Sequence, residues 1–247
     1  MHSLARRVLP ATAPVGLLAF WGGMWMAARR YPSEFDWRYM TISSLVYPDR
    51  NPAGHQWAST GIFLCGLCGL CCAALLARGR HVGAGGKRPV GVPALAVGGF
   101  CMALSAWLPE RLLPVPKGHE LLALTAFFSL SISIVQMTFQ AAEPSLRRWT
   151  GGAACRVRAY ASIVAGAALA PILLTAIAVA YVAHARPELK WVSLSWRALG
   201  VPVYLSFAFW EWATCAIFSA YVAGLCLAAL ARARHSAPDA QANGKVR

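Results

Sequence analysis

The sequence predicts an all-α membrane protein: a bundle of six transmembrane helices, both termini cytoplasmic, with short interfacial helices outside. Three observations carry this reading. Apolar residues make up 58% of the chain and charged residues 13%, about half the charged share of an ordinary soluble protein. Continuous apolar runs occur at about 9–29, 57–77, 89–109, 120–142, 159–183 and 203–230, each near the roughly 20 residues that a bilayer requires. The basic residues are also sorted between the two sides of these runs.

The runs are continuously apolar, which excludes alternating strands, and in hydrocarbon a backbone that satisfies itself is helical. The first run follows Arg6 and Arg7 like the start of a signal peptide. It is long enough to span and no clear small-residue cleavage site follows, so it reads as a retained first span. The connection after it, 30–56, is the longest outside. Ser33 with Asp36 forms a capping arrangement that opens a short helix, to which Phe35, Trp37, Met40, Ile42 and Leu45 give an apolar side. This segment is expected in the interface or folded back over the bundle. Pro52 suits the first turn of the second span, where its missing N–H costs nothing.

In the second span Cys65, Cys68 and Cys72 share a face beside Gly66 and Gly69. That pattern reads as a small-residue packing seam rather than a metal site, and such faces also suit a homo-oligomer. None of the eight cysteines falls in an external loop, so no disulfide framework is implied. The fourth span carries Thr125, Ser129, Ser133, Gln136 and Gln140 on one face. This stripe must point away from lipid and is expected to hydrogen-bond to neighbouring helices. Pro171 predicts a kink in the fifth span. The connection 185–202 holds Trp191, Leu194 and Trp196 as a second interfacial segment, with Arg186, Lys190 and Arg197 reaching towards headgroups. Residues 1–235 then form one six-helix domain, and 236–247 a polar, disordered cytoplasmic tail.

The net charge of +14 would point to nucleic acid in a soluble protein. Here 14 of the 23 basic residues lie on the side of the termini with only Glu143 and Asp239, against nine basic residues and six loop acids on the other. The positive-inside rule places the termini in the cytoplasm of a cell membrane. The expected partners are membrane lipids, not nucleic acid.

The unusual residues collect at the outer ends of the spans. His55, His119 and His184 lie at similar depth, with Glu110 and Glu120 nearby. Glu211 falls roughly 12 Å into the bilayer, where a carboxylate must be paired, protonated or facing water. Eight of ten tryptophans sit in or near the outer half, more than an aromatic belt requires. The leading expectation is an outward-facing polar site for a lipid headgroup or other amphiphile. In it His119, Glu120 and Glu211 handle protons or bond the ligand. Glu34, Asp36, Ser43, His55, Glu110 and His184 line the site, and Trp107, Trp210 and Trp212 supply apolar walls. This reading needs no cofactor. The alternative is a zinc-dependent hydrolase of a lipid amide or ester, with His55, His119 and His184 as ligands. A structural or regulatory membrane protein without a ligand is the third reading. Phosphate-binding glycine loops, nucleotide motifs and Ser-His-Asp patterns are missing from the sequence, which disfavours soluble cofactor chemistry.

Thr41-Ile42-Ser43-Ser44-Leu45, then Tyr47-Pro48-Asp49-Arg50-Asn51-Pro52 and a Gly-rich second span, resemble the bacterial six-span proteins catalogued as domain of unknown function 998. These are similar in layout to the DRAM, Sfk and FRAG membrane proteins. Pro109-Glu110 and His119-Glu120-Leu121-Leu122-Ala123 resemble the third-loop pattern of the same family. The resemblance implies a six-span fold in the bacterial inner membrane and no particular reaction. Ser44 stands where that pattern has an acid after Ile-Ser. Glu34-Phe35 and Thr41-Ile42-Ser43 also resemble elements of the alkaline ceramidase type of hydrolase, at a longer spacing and without its paired histidines or seventh span. That likeness implies zinc on His55, His119 and His184, with Ser43 or Asp36 assisting.

Overall fold

The computed structural model describes residues 2–78, 91–107, 118–148, 152–185, 196–198 and 200–235. Among them every regular element is helical. In chain order these are α1 (His2–Arg29), α2 (Ile42–Val46), α3 (His55–Arg78), α4 (Val92–Trp107), α5 (Gly118–Arg148), α6 (Gly152–Ala185) and α7 (Phe207–His235), the last preceded by a 3-10 turn at Val203–Leu205. Each of the six long helices falls on one predicted apolar run, with α4 shorter than its run and α7 starting at Phe207, after the 3-10 turn, instead of at 203. The tail 236–247, Glu110, Trp191 and Leu194 lie outside the described residues.

Four segments are long and apolar enough to cross a membrane: Ala11–Arg29, His55–Ala77, Gly118–Gln140 and Arg158–Ile177. The apolar stretch Val92–Ala106 of α4 is shorter, and its helix of 16 residues is about 24 Å long. α7 has 29 residues, with Glu211 between two tryptophans in its opening turns. The protein is thus all-helical with several membrane-spanning candidates.

Each long helix packs against the next, and α7 returns to α1, so the helices close a ring in chain order. The ring is tightest where side chains are smallest. A Cβ on Gly61 of α3 would stand 2.6 Å from the Ala19 carbonyl of α1, and one on Gly23 would stand 2.9 Å from the Cα of Gly61. The predicted seam on α3 is divided between two neighbours inside the chain: a Cβ on Gly16 of α1 would meet the Cys68 Cβ at 2.8 Å, while one on Gly66 would meet the Ala103 nitrogen of α4 at 2.6 Å and the Gly99 carbonyl at 2.7 Å. Close backbone approach of this kind replaces the hydrophobic drive that lipid cannot supply between helices. The cysteines of the seam are free thiols.

The polar stripe of α5 is partly absorbed as expected. Ser133 is buried and donates to the Gly91 carbonyl before α4 at 2.9 Å, while Thr125 bonds back to the Leu121 carbonyl of its own helix. α6 is a single helix through Pro171, where Thr175 donates to the proline carbonyl at 2.7 Å.

The connection 30–54 folds into one end of the ring. α2 packs against α1, α3 and α7, and its Ile42, Leu45 and Val46 join Phe20, Met24, Ala58, Ile62 and Trp212 in one buried apolar cluster. The short helix differs from the expected one. It starts at Ile42 with Thr41 as N-cap, not near Ser33, because Asp36 is engaged elsewhere. Pro52 stands in the turn before α3 instead of in its first turn.

Candidate functional site at the end closed by the connection

The connection is shaped first by its own polar groups. The Asp36 backbone carbonyl accepts the Tyr39 and Met40 amides at 3.0 and 2.8 Å, and its side chain accepts the Arg38 amide at 3.2 Å. This is the side-chain-to-backbone turn that Asp favours. The same carboxylate, 7% exposed, holds the Arg38 guanidinium through Nε at 2.8 Å and Nη2 at 3.1 Å, and Arg197 through Nη1 at 3.1 Å. Bonding to Arg38 holds the Asp36 carboxyl below its ordinary range despite burial, and Arg197 adds to this. Arg197 is brought there by a turn that closes from the Val201 amide to the Trp196 carbonyl at 3.0 Å. Gly200 supplies its φ of +71°, a conformation that costs a side-chain-bearing residue about 1 kcal/mol or more. Tyr39 packs on Trp196 and Val201 and donates its hydroxyl to the Val201 carbonyl at 2.8 Å.

α2 is then fastened to α7. The first amides of a helix have no partner within it, and Thr41 makes no side-chain cap bond. Instead Glu211 reaches from α7 and accepts the Ile42 amide through Oε2 at 2.9 Å. Next to it the Trp212 indole donates to the Met40 carbonyl at 2.9 Å. Thr41 Oγ1 and Ser44 Oγ, both buried, pair at 3.1 Å. The ring of Trp212 also meets Phe35 and Trp21, each with centroids 6.1 Å away.

Asn51 fastens the other end of the connection. It is fully buried, and its Nδ2 donates to the Ala27 carbonyl of α1 at 3.1 Å and the Leu45 carbonyl of α2 at 3.3 Å. Gly54 leaves the necessary room, since a Cβ there would come within 2.6 Å of the Asn51 amide atoms. Asn51 Oδ1 is the buried side-chain atom among the described residues that meets no hydrogen-bond partner.

The predicted site residues divide in this geometry. Glu211, Asp36, Trp212 and His119 are buried at the closed end. His119 Nδ1 donates to the Ser105 carbonyl at 3.0 Å, which leaves Nε2 as the ring nitrogen open to a further partner. Its ring lies 5.3 Å from Tyr47, over which Arg50 is placed at 5.5 Å. Ser43 is half-buried on α2. His55 opens α3, with Nδ1 within 3.2 Å of the Asn51 carbonyl and 3.1 Å of the Pro52 carbonyl. Glu34, Glu120 and His184 are exposed. Trp210 bonds the Tyr204 carbonyl at 2.8 Å. Glu110 lies outside the described residues, as does the side chain of Trp107. His55 and His119 bond different carbonyls, His184 is exposed, and among the described residues no three His, Cys, Asp or Glu side chains form a group able to hold a metal ion.

No family model, curated protein or solved structure matches the chain.

Sequence reasoning missed Asn51, the Thr41–Ser44 pair and the joint hold of Arg38 and Arg197 on Asp36. Asn51 carried a faint signal: a lone amide between prolines at positions 48 and 52, before an apolar helix. The Arg197 contact had none, because it joins residues far apart in the chain. Chemically, this end offers a hydrogen-bond acceptor at Glu211, a further polar ring atom at His119 Nε2, and guanidinium donors at Arg38, Arg50 and Arg197. Exposed indoles at Trp25, Trp37 and Trp57 surround them.

Proposed function

We propose that this protein is a six-span membrane protein with both termini cytoplasmic, whose outward end binds the headgroup region of a lipid or another amphiphile. The observation that carries the reading is the fold-back of 30–54. A connection held to α7 by a buried carboxylate builds a polar floor between helices, where lipid-facing packing alone would call for apolar side chains. A carboxylate at such a position is costly unless its bonding offsets the burial. A single amide bond from Ile42 leaves Glu211 acceptor capacity for a ligand donor. Glu211 and His119 are the proposed proton-handling or ligand-bonding groups. Glu34, Asp36, Ser43, His55, Glu120 and His184 form the polar surround, to which Glu110 is assigned from the sequence alone, and the tryptophans suit the boundary of hydrocarbon and headgroup. The layout resembling the six-span proteins of unknown function, through Thr41–Leu45 and Tyr47–Pro52, supports the same number of spans.

The test is ligand-induced stabilisation of the purified protein by short-chain lipids in maltoside micelles. Wild type is expected to show a saturable rise in unfolding temperature. Glu211→Gln and His119→Ala should each need at least about tenfold more lipid for the same rise, equivalent to about 1.4 kcal/mol. Equal titrations in all three proteins would remove both residues from the site. No saturable rise in wild type would reject the reading altogether.

A further inference from the structure

We propose that Arg38 and Arg197, set side by side on Asp36, bind a phosphate group, carried on a lipid headgroup or free, with Trp37 beside them for an attached apolar chain. This rests on the amphiphile-binding reading and names the group that is recognised.

The two guanidiniums share one carboxylate. Arg38 Nη2 and Arg197 Nη1 both contact Asp36 Oδ2 at 3.1 Å, so two positive charges are balanced by one negative charge. Asp36 is buried beneath them at 7% exposure, whereas the arginine side chains are 47% and 58% exposed. The carboxylate therefore acts as a fixed base that orients both cations, and bonding to Arg38 holds its pKa below the ordinary value. A guanidinium carries five N–H donors. Arg38 spends Nε and Nη2 on Asp36 and Arg197 spends Nη1, which leaves Arg38 Nη1 and Arg197 Nε and Nη2 for another acceptor. Two planar forks whose remaining donors are half in solvent suit a tetrahedral oxyanion, which offers several oxygens at once. Glu34, exposed nearby, is the further carboxylate whose charge acts on Arg38, and it competes with such an anion.

The surroundings match a phosphate borne on an amphiphile. Trp37 is 49% exposed and its ring lies 5.9 Å from Phe209 in the first turn of α7. Tyr204, just before α7, is 65% exposed. Three other described arginines at this end are arranged differently: Arg29 lies over Trp25, Arg30 over Trp57 and Arg50 over Tyr47, one cation to one ring. Among the described residues, Arg38 and Arg197 are the two guanidiniums that share one carboxylate.

The experiment titrates the full chain in maltoside micelles with dihexanoylphosphatidylglycerol, with dihexanoylglycerol, which lacks phosphate, and with inorganic phosphate, following the unfolding temperature. For wild type, phosphatidylglycerol should stabilise at a concentration at least tenfold lower than dihexanoylglycerol. R38Q/R197Q should lose that preference, while E34Q should keep or strengthen it. A purely structural role for the pair gives no reason for E34Q to tighten binding. If the double glutamine variant does not fold, R38K/R197K, which keeps the charge but not the planar fork, carries the test and should bind several-fold more weakly. Inorganic phosphate acting as well as phosphatidylglycerol, and losing its effect in the variants, would support the site with free phosphate as its source. Phosphatidylglycerol and dihexanoylglycerol binding alike to wild type would overturn the phosphate site and leave amphiphile binding intact, as would unchanged phosphatidylglycerol affinity in the folded arginine variants. Failure of all three compounds to stabilise wild type would overturn both.

Discussion

At the scale of single residues, Asp36 and Glu211 are both buried carboxylates with different duties. Asp36 is bonded to two guanidiniums and its pKa in the folded protein lies below the ordinary 3.8. A depressed folded value means that its ion pairs add stability that is present above the unfolded value. That contribution is lost as pH falls from about 3.8 through the folded value. Unfolding temperature measured from pH 6 to pH 3 should therefore drop more steeply in wild type than in Asp36→Asn. At pH 7 the variant should be less stable by about 1–3 kcal/mol, the usual loss for a buried charge-assisted bond. Parallel pH curves would show that the arginines do not hold Asp36 in solution. Glu211 instead supplies an acceptor to the Ile42 amide. A carboxamide can do the same, so Glu211→Gln should keep stability within about 1 kcal/mol, while Glu211→Ala leaves a buried donor unmet and should cost about 1–3 kcal/mol. Equal stability of the two variants in chemical unfolding would mean that the bond to α2 contributes nothing.

At the scale of elements, the long helices were legible because a continuous apolar run states both its type and its length. The expected runs at 57–77 and 120–142 correspond to α3 at His55–Arg78 and α5 at Gly118–Arg148. The short helix was misplaced for a physical reason. Ser33 and Asp36 have the spacing of a cap, but Asp36 is drawn into a bond with Arg197, 161 positions later, and the helix starts at Ile42. Glu211 was recognisable from its depth in an apolar run, but not its partner, since an amide in a connection carries no mark in the sequence. The glycine contacts between α1 and α3 were legible only in part: Cys65 and Cys68 of the predicted seam do lie against Gly16 of α1, but the closer approach of Gly23 and Gly61 carried no signal. They make a sharp prediction. Gly61→Ala places a methyl 2.6 Å from the Ala19 carbonyl, so the two helices must separate, at a cost of about 1–3 kcal/mol as in other overpacked cores. Gly22→Ala meets nothing within 4 Å and should be neutral or stabilising by up to about 1 kcal/mol, since alanine is the better helix former. Comparable losses in both, measured by unfolding in micelles, would place the α1–α3 interface elsewhere.

At the scale of the whole molecule, the ring of helices and the sorting of basic residues are independent facts that must agree on topology. A ring closed in chain order, α7 against α1, leaves the connection 30–54 at one end. The proposed topology puts that end outside, because the sequence carries Arg78, Arg80, Lys87 and Arg88 directly after α3 and short basic loops favour the cytoplasm. With six spans, a fluorescent protein fused after Arg247 should fluoresce and alkaline phosphatase there should be inactive. A small epitope inserted after Asp49, which is exposed in a turn, should be reached by antibody from outside in intact cells. An active phosphatase after Arg247 together with an accessible epitope would mean an odd number of spans. Glu211 lies in the opening turns of α7, so that result would point to α7 as the element that does not span. Glu211 would then need no solution for burial in hydrocarbon, and its bond to Ile42 would be that of an interfacial helix holding a loop. A cytoplasmic terminus with an external epitope fixes the carboxylate within a spanning helix instead, where a polar partner or ligand is required of it.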